Sequence, residues 1–232
     1  MIFPTGTHTR LLLNAYLDAQ KFRKHRGLDR VSGSLHSEFQ YRTSAKFNAI
    51  TYGLFGQVSL DEYDSELRGG YRYAFGLNAR SALTDRIDVF TALTRTVRDA
   101  DSEVFDLKDY SARLNIDYSL HRSGTLYFGT EYRRGDTASS APNTDFYLDI
   151  ADAAEADDAY HNRRFTASRY EAETLIWTVG YNWLIGQRDA IDLTFRRADS
   201  SPTNIPADAQ YEGSGGSSYT SNQFSIIYLM RF

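Results

Sequence analysis

Along most of this chain apolar and polar residues take turns. In the stretch Leu67 to Ser81, one side of an extended backbone carries Leu67, Gly69, Tyr71, Tyr73, Phe75, Leu77 and Ala79. The other side carries Arg68, Gly70, Arg72, Ala74, Gly76, Asn78 and Arg80. Successive side chains of a strand point to opposite faces, so this period of two predicts strand. The split recurs where Tyr110, Ala112, Leu114, Ile116, Tyr118 and Leu120 oppose Asp109, Ser111, Arg113, Asn115, Asp117 and Ser119. It recurs again where Leu175, Trp177, Val179, Tyr181, Trp183 and Ile185 oppose Thr174, Ile176, Thr178, Gly180 and Asn182. Helical periodicity is almost absent. The runs exceed the ~5–6 residues of an ordinary strand and match the ~9–11 that a tilted strand needs to cross a bilayer.

About ten such strands are expected, near 9–22, 30–42, 46–60, 66–81, 86–98, 108–120, 125–134, 170–185, 190–198 and 219–232. Their connectors alternate in length. Short ones fall near 43–45, 82–85, 121–124 and 186–189, and longer ones near 23–29, 61–65, 99–107, 135–169 and 199–218. Tight turns at one rim and long loops at the other are the asymmetry of a membrane barrel, and an even strand number puts both chain ends on the short-turn side. The Ala/Asp-rich segment Asp149–Tyr160 is expected to form a short helix inside the longest loop, and 199–218 is loop material by its Pro, Gly and Ser content.

A length of 232 residues suits one domain, 1–232, of barrel type. Seventeen Tyr and 14 Phe against no Cys and 2 Met favour pleated surfaces and lipid–water boundaries. The lack of cysteine excludes disulfides and thiolate metal sites. A net charge of −4, with no basic helix to offset it, argues against nucleic acid as a partner. No run approaches the ~18 apolar residues of a spanning helix. The start, "MIFPTGTHTR", has no leader pattern, so an exported protein is expected to have lost its signal peptide.

In the last run, Phe224, Ile226, Tyr228, Met230 and Phe232 share one face, and the chain ends on an aromatic. With that ending, the alternation and the loop asymmetry, the chain resembles the bacterial outer-membrane β-barrel superfamily over nearly its whole length. The resemblance implies an all-β, closed, antiparallel up-and-down barrel with long loops outward and both termini periplasmic. It also implies outer-membrane lipid as surroundings, with Phe232 as part of an insertion signal read by the barrel-assembly machinery. A soluble lipocalin-like carrier alternates too; it differs in pointing its apolar face inward.

On the membrane reading the interior takes Arg10, Asp18, Arg30, His36, Glu38, Arg42, Glu66, Arg68, Arg72, Arg80, Asp88, Asp109, Arg113, Asp117, Glu131, Arg133, Asp192 and Arg196. Ten strands leave little room, so these long side chains either plug the lumen by pairing or line a narrow pore with mild anion preference. The outward loops are then the place for a protein partner.

An enzyme needs a nucleophile and a base. Ser34, His36 and Glu38 share a strand face, the residue set of an outer-membrane lipid hydrolase, yet neighbours two apart on one strand do not reach each other. His161 beside Asp157 and Asp158 invites comparison with Asp/His outer-membrane proteases, without their paired-Asp pattern. Asp149, Asp152, Glu155, Asp157 and Asp158 could gather calcium but lack EF-hand spacing. Arg134–Asp136 spells Arg-Gly-Asp at a strand exit, an adhesive motif that strand ends also produce by chance. No cofactor fingerprint or metal motif is present. The expected function is therefore a non-enzymatic outer-membrane protein.

Overall fold

Alternation over a dozen residues is satisfied only by pairing on both edges, and the chain does this hairpin after hairpin. The computed structural model describes residues 1–142, 150–160, 165–186, 188–203 and 218–230. Ten long strands follow in order: β2 (Thr9–Gln20), β3 (Arg30–Arg42), β4 (Thr51–Tyr63), β5 (Gly70–Ala82), β6 (Ile87–Ala100), β7 (Leu107–His121), β8 (Gly124–Pro142), β10 (Phe165–Ile185), β11 (Asp189–Pro202) and β12 (Tyr219–Met230). Two short ones complete a sheet of twelve: β1 (Ile2–Pro4), on the edge of β2, and β9 (Ala153–Ala156), on β10. Every pairing is antiparallel and joins chain neighbours, except that β8 pairs with β10 past β9.

The strand number is thus twelve rather than ten, because β1 and β9 are too short to show a period. The sheet is also not closed. Among the described residues β12 pairs with β11 alone, while β1 occupies the β2 edge through Ile2–Leu12, Phe3–Leu11 and Pro4–Arg10. Pro4 has no N–H to offer a further strand, which blunts that edge. Two strand bounds move as well. β4 starts at Thr51 because 43–50 folds into a turn held by Thr43 N–H to the Ile50 carbonyl (3.0 Å) and Arg42 Nη2 to the Lys46 carbonyl (2.9 Å). β8 and β10 run on past residues 134 and 170, pairing through the small residues Ala138–Ala141. The helix expected in 149–160 is absent; Ala153–Ala156 adds to β10 as a strand, tertiary pairing overriding alanine's helical preference.

Register puts the polar positions of neighbouring strands on one face, from Arg10 and Gln40 through Arg72 and Arg98 to Arg196 and Gln223. On that face Ser59 and Asp61 are 2% exposed, whereas Leu35 and Leu77 on the other are 64% and 58% exposed. A single sheet with no helix against it buries one face only by curling around it. The loops carry the same message. Ala156 pairs with Thr166 of β10, and Ala159, three residues on, lies against Gly27 in the β2–β3 loop. Three residues reach about 10 Å at most, while the six strand spacings from β3 to β10 would be about 29 Å in a flat sheet.

The apolar face is banded. Tyr41, Tyr52, Tyr118, Trp183 and Tyr228 stand near the short-turn rim; Tyr71, Tyr73, Tyr110 and Tyr132 stand near the long-loop rim; all are well exposed. Most of the apolar burial lies beyond the second band, where Val104, Phe105 and Ala167 cluster with Leu67, Ala100, Ala138 and Ala153, and Ile150 packs with Tyr170 and Ala172.

Candidate functional site: the polar face and its strap

The polar face is organised around two carboxylates. Glu38 on β3 accepts from Gln40 Nε2 at 2.7 Å and from Asn78 Nδ2 of β5 at 2.9 Å, and Gln40 in turn accepts from Arg10 Nε at 2.6 Å. β4 lies between β3 and β5, and its residue at that level is Gly53. A Cβ there would sit 2.4 Å from both Glu38 Oε1 and Asn78 Oδ1, so the missing side chain is what lets strands two apart touch.

Glu131 on β8 is the second centre. Its Oε2 takes Arg113 Nη2 (2.6 Å) and Nε (3.0 Å), and its Oε1 takes Arg133 Nη2 (2.8 Å). Arg133 also lies 3.7 Å from Asp109. Farther along, Tyr127 on β8 donates its hydroxyl to Asp192 Oδ1 of β11 at 2.8 Å, crossing Gly180 of β10. A Cβ on Gly180 would come 2.1 Å from the Tyr127 ring. Glu131 and Tyr127 border a cavity of about 330 Å³ lined also by Arg113, Asn115, Asp117, Thr178 and Arg196.

The other residues expected inside divide into five groups. Arg30 with Asp18 (2.6 Å) and Arg72 with Asp61 (3.2 Å) pair across strands, and Ser32 donates to the same Asp61 (2.6 Å). Arg80 and Arg196 lie on the polar face and make no ion pair among the described residues. Asp88 and Asp117 face each other directly across β6 and β7. Arg42 is spent on its own turn. Two residues are corrected: Glu66 and Arg68 are not on a strand, because β5 begins only at Gly70, and they sit in the β4–β5 loop at the long-loop rim.

Ser34, His36 and Glu38 do share the polar face, but they form no catalytic relay. The Ser34 hydroxyl donates to Ser59 Oγ at 3.0 Å, and His36 Nε2 stands 3.7 Å from Glu38 Oε2 with its ring stacked on Phe55. On β12, Phe224, Ile226, Tyr228 and Met230 share the apolar face and are exposed, although as an edge strand β12 is exposed on its other face too; Phe232 lies outside the described residues.

Loop 150–160 is the feature that alternation could not reveal. It straps the long-loop rim from β10 to the β2–β3 loop. Asp157, with no exposed side-chain area, takes both ends of the Arg68 guanidinium at 2.7 and 2.6 Å, the Ser140 hydroxyl, and the Ala159 N–H at 3.0 Å. Asp158 takes Ser65 Oγ (2.5 Å) and the Glu66 N–H (2.7 Å), and Glu155 takes Ser102 Oγ (2.6 Å). The Tyr160 ring packs against that of His25, centroids 4.9 Å apart and planes tilted by 59°. Burial pushes the Asp157 carboxyl up, but hydrogen bonds from Arg68, Ser140 and the Ala159 amide, with the Arg68 charge, outweigh it and hold the group below the usual aspartate value. Glu155, Asp157 and Asp158 of the acidic segment are therefore spent on protein donors. No cluster that would hold a metal ion occurs among the described residues, and Asp149 and His161 lie outside them. The Arg-Gly-Asp tripeptide is built into the sheet, with Gly135 opposite Ala172, Arg134 3.5 Å from Glu173, and Asp136 accepting the Lys108 N–H at 3.0 Å.

No protein-family model matches the chain, and neither does any curated protein compared with it. Among solved structures it is similar to the siderophore receptor PiuA from Acinetobacter baumannii, with 11% identity and a TM-score of 0.36 over 98% of this chain and 43% of that one. The chain thus spans less than half the length of that receptor, and a superposition of this quality leaves the functional reading to the chain's own geometry.

Proposed function

We propose that the chain is a non-enzymatic integral β-barrel of a bacterial outer membrane, acting as a narrow, largely occluded pore. The carrying observation is the inversion of the sheet: it curls around Arg, Asp, Glu and Ser and leaves Leu, Phe and Tyr outside. A lipocalin-like carrier in water would lose the hydrophobic stabilisation that burial of this outer face supplies. In hydrocarbon the same face is at home, and its two aromatic bands fit two interfaces. On β7, Tyr110 to Tyr118 is about 27 Å of strand, which at a barrel's ~35–45° tilt is about 20 Å of height, near the ~25 Å apolar band of such proteins. Every lipid-exposed backbone group then needs a partner, so this reading requires β12 to pair with the β2 edge, displacing β1 over Arg10–Leu12. Both termini would face the periplasm.

Inside, the Glu38 and Glu131 networks fill much of the bore, and the strap crosses its outward end. Arg196, which makes no ion pair among the described residues, gives the remaining path a mild anion preference. Planar-bilayer recording of the refolded full chain tests this. Small steps that grow when the strap is released are expected; a chain that stays soluble and monomeric without detergent would sink the reading.

A further inference from the structure

The β2–β3 connector reads Lys21, Phe22, Arg23, Lys24, His25, Arg26, five basic residues in six, and it is used by neither the polar-face networks nor the strap's ion pairs. Lys21, Arg23, Lys24 and Arg26 are exposed, and none makes an ion pair among the described residues. A flexible loop of this composition would be an ordinary solvated turn. This one is pinned. Phe22 N–H donates to Asp29 Oδ1 at 2.6 Å, Leu28 and Asp29 N–H close a 3-10 turn on His25 and Arg26, and Gly27 and His25 are held by Ala159 and Tyr160 of the strap. The four cations are thus displayed on a backbone whose ordering is already complete, which lowers the entropy that binding must cost.

Their depth suggests the partner. Ala19, on the apolar face of β2 opposite Val31 (59% exposed), stands two residues before Lys21, about 7 Å along the strand. Headgroup layers add about 5–8 Å beyond each side of the hydrocarbon. On a tilted strand these cations therefore lie at headgroup level. The apolar face at this rim carries Tyr71, Tyr110 and Tyr132 on β5, β7 and β8, but Leu17, Ala19 and Val31 on β2 and β3, so in this sector cations stand where the others use aromatic anchors.

We propose that Lys21, Arg23, Lys24 and Arg26 form a docking surface for the phosphorylated headgroup of an outward-leaflet lipid. The proposal rests on the outer-membrane reading above and adds the lipid class to it. Juxtamembrane cations attract anionic headgroups by about 1 kcal/mol each, a factor of about five per residue.

The test uses the full chain in zwitterionic detergent, titrated separately with bisphosphorylated lipid A, dephosphorylated lipid A, inorganic phosphate and a single-stranded oligonucleotide. Tighter binding of the bisphosphorylated lipid, by at least about twentyfold over the dephosphorylated one, is expected. It should weaken with salt and vanish in the quadruple variant K21Q/R23Q/K24Q/R26Q. The single variant K24Q, which alters one exposed tip, should lose about fivefold. A protein that inserts normally but binds both lipids equally, or prefers free phosphate or the oligonucleotide, overturns the docking surface and leaves the barrel standing. A protein that never inserts overturns the barrel itself.

Discussion

Arg68 and Asp157 meet end to end, both guanidinium nitrogens on both carboxylate oxygens, although 89 residues separate them in the chain. Arg68 also lies 4.3 Å over the Phe105 ring, and its backbone carbonyl accepts from Arg98 Nη2 at 2.6 Å. The pair therefore joins the β4–β5 loop, the β6–β7 loop and the strap at one buried point.

Removing one member leaves the other charged and buried, at a cost of about 3–5 kcal/mol. Arg68→Met should free the strap while the strands keep their pairing. Limited proteolysis should then cut within 150–160, where the parent protein resists, and single-channel steps should grow.

Acid should do the same reversibly. Because the Asp157 carboxyl is held below its ordinary value of about 3.9, its stabilisation of the strap is complete above that value and is lost as pH falls through the lower folded one. A fluorophore at Ala154→Cys should stay shielded from a soluble quencher from neutral pH to about 5 and become accessible only in stronger acid. With Asp157→Asn, accessibility should be high throughout and flat.

Gly180 and Gly53 should respond differently to alanine. At Gly180 the added carbon meets the stiff Tyr127 ring, which must swing and release Asp192, for about 1–3 kcal/mol. At Gly53 it meets only the tips of Glu38 and Asn78, which can step aside, so the loss should stay below about 1 kcal/mol. Midpoints of unfolding in detergent and urea would rank the two.

Cysteines on β5 should report the two faces. In vesicles, Leu77→Cys should resist a membrane-impermeant maleimide and Arg72→Cys should react from the aqueous side. Equal labelling of both would contradict the inversion. Arg196→Glu, which lines the cavity, should move the reversal potential in a salt gradient toward cations without altering insertion.

Much of this architecture is legible in the sequence, because period two survives wherever a strand separates an oily surface from a polar one. Tyr71, Tyr73, Phe75 and Leu77 declare β5 and its faces before any coordinates do. Alternation fails where both faces are covered by protein. Ala138 to Ala141 pair as faithfully as β5, yet their small side chains carry no pattern. Arg68 keeps the phase of β5 but sits before its first residue, since a loop can prolong a period by a few positions. Ser34, His36 and Glu38 are correctly placed on one face, but a strand face says nothing of the partner opposite, and for Ser34 that partner is Ser59. The clasp on Asp157 has no local signature at all; only the meeting of distant loops creates it.

Gly53 has a consequence for how the sheet assembles. The Glu38–Asn78 hydrogen bond exists only when three consecutive strands are docked and the middle one is in its native alignment. A slip of β4 by one position would slide Tyr52 or Leu54 beneath Glu38, wedge the two amide and carboxylate tips apart and turn an oily side chain toward the ionised interior. The bare glycine thus works as a proofreading gap, rewarding the correct alignment of its strand and no neighbouring one.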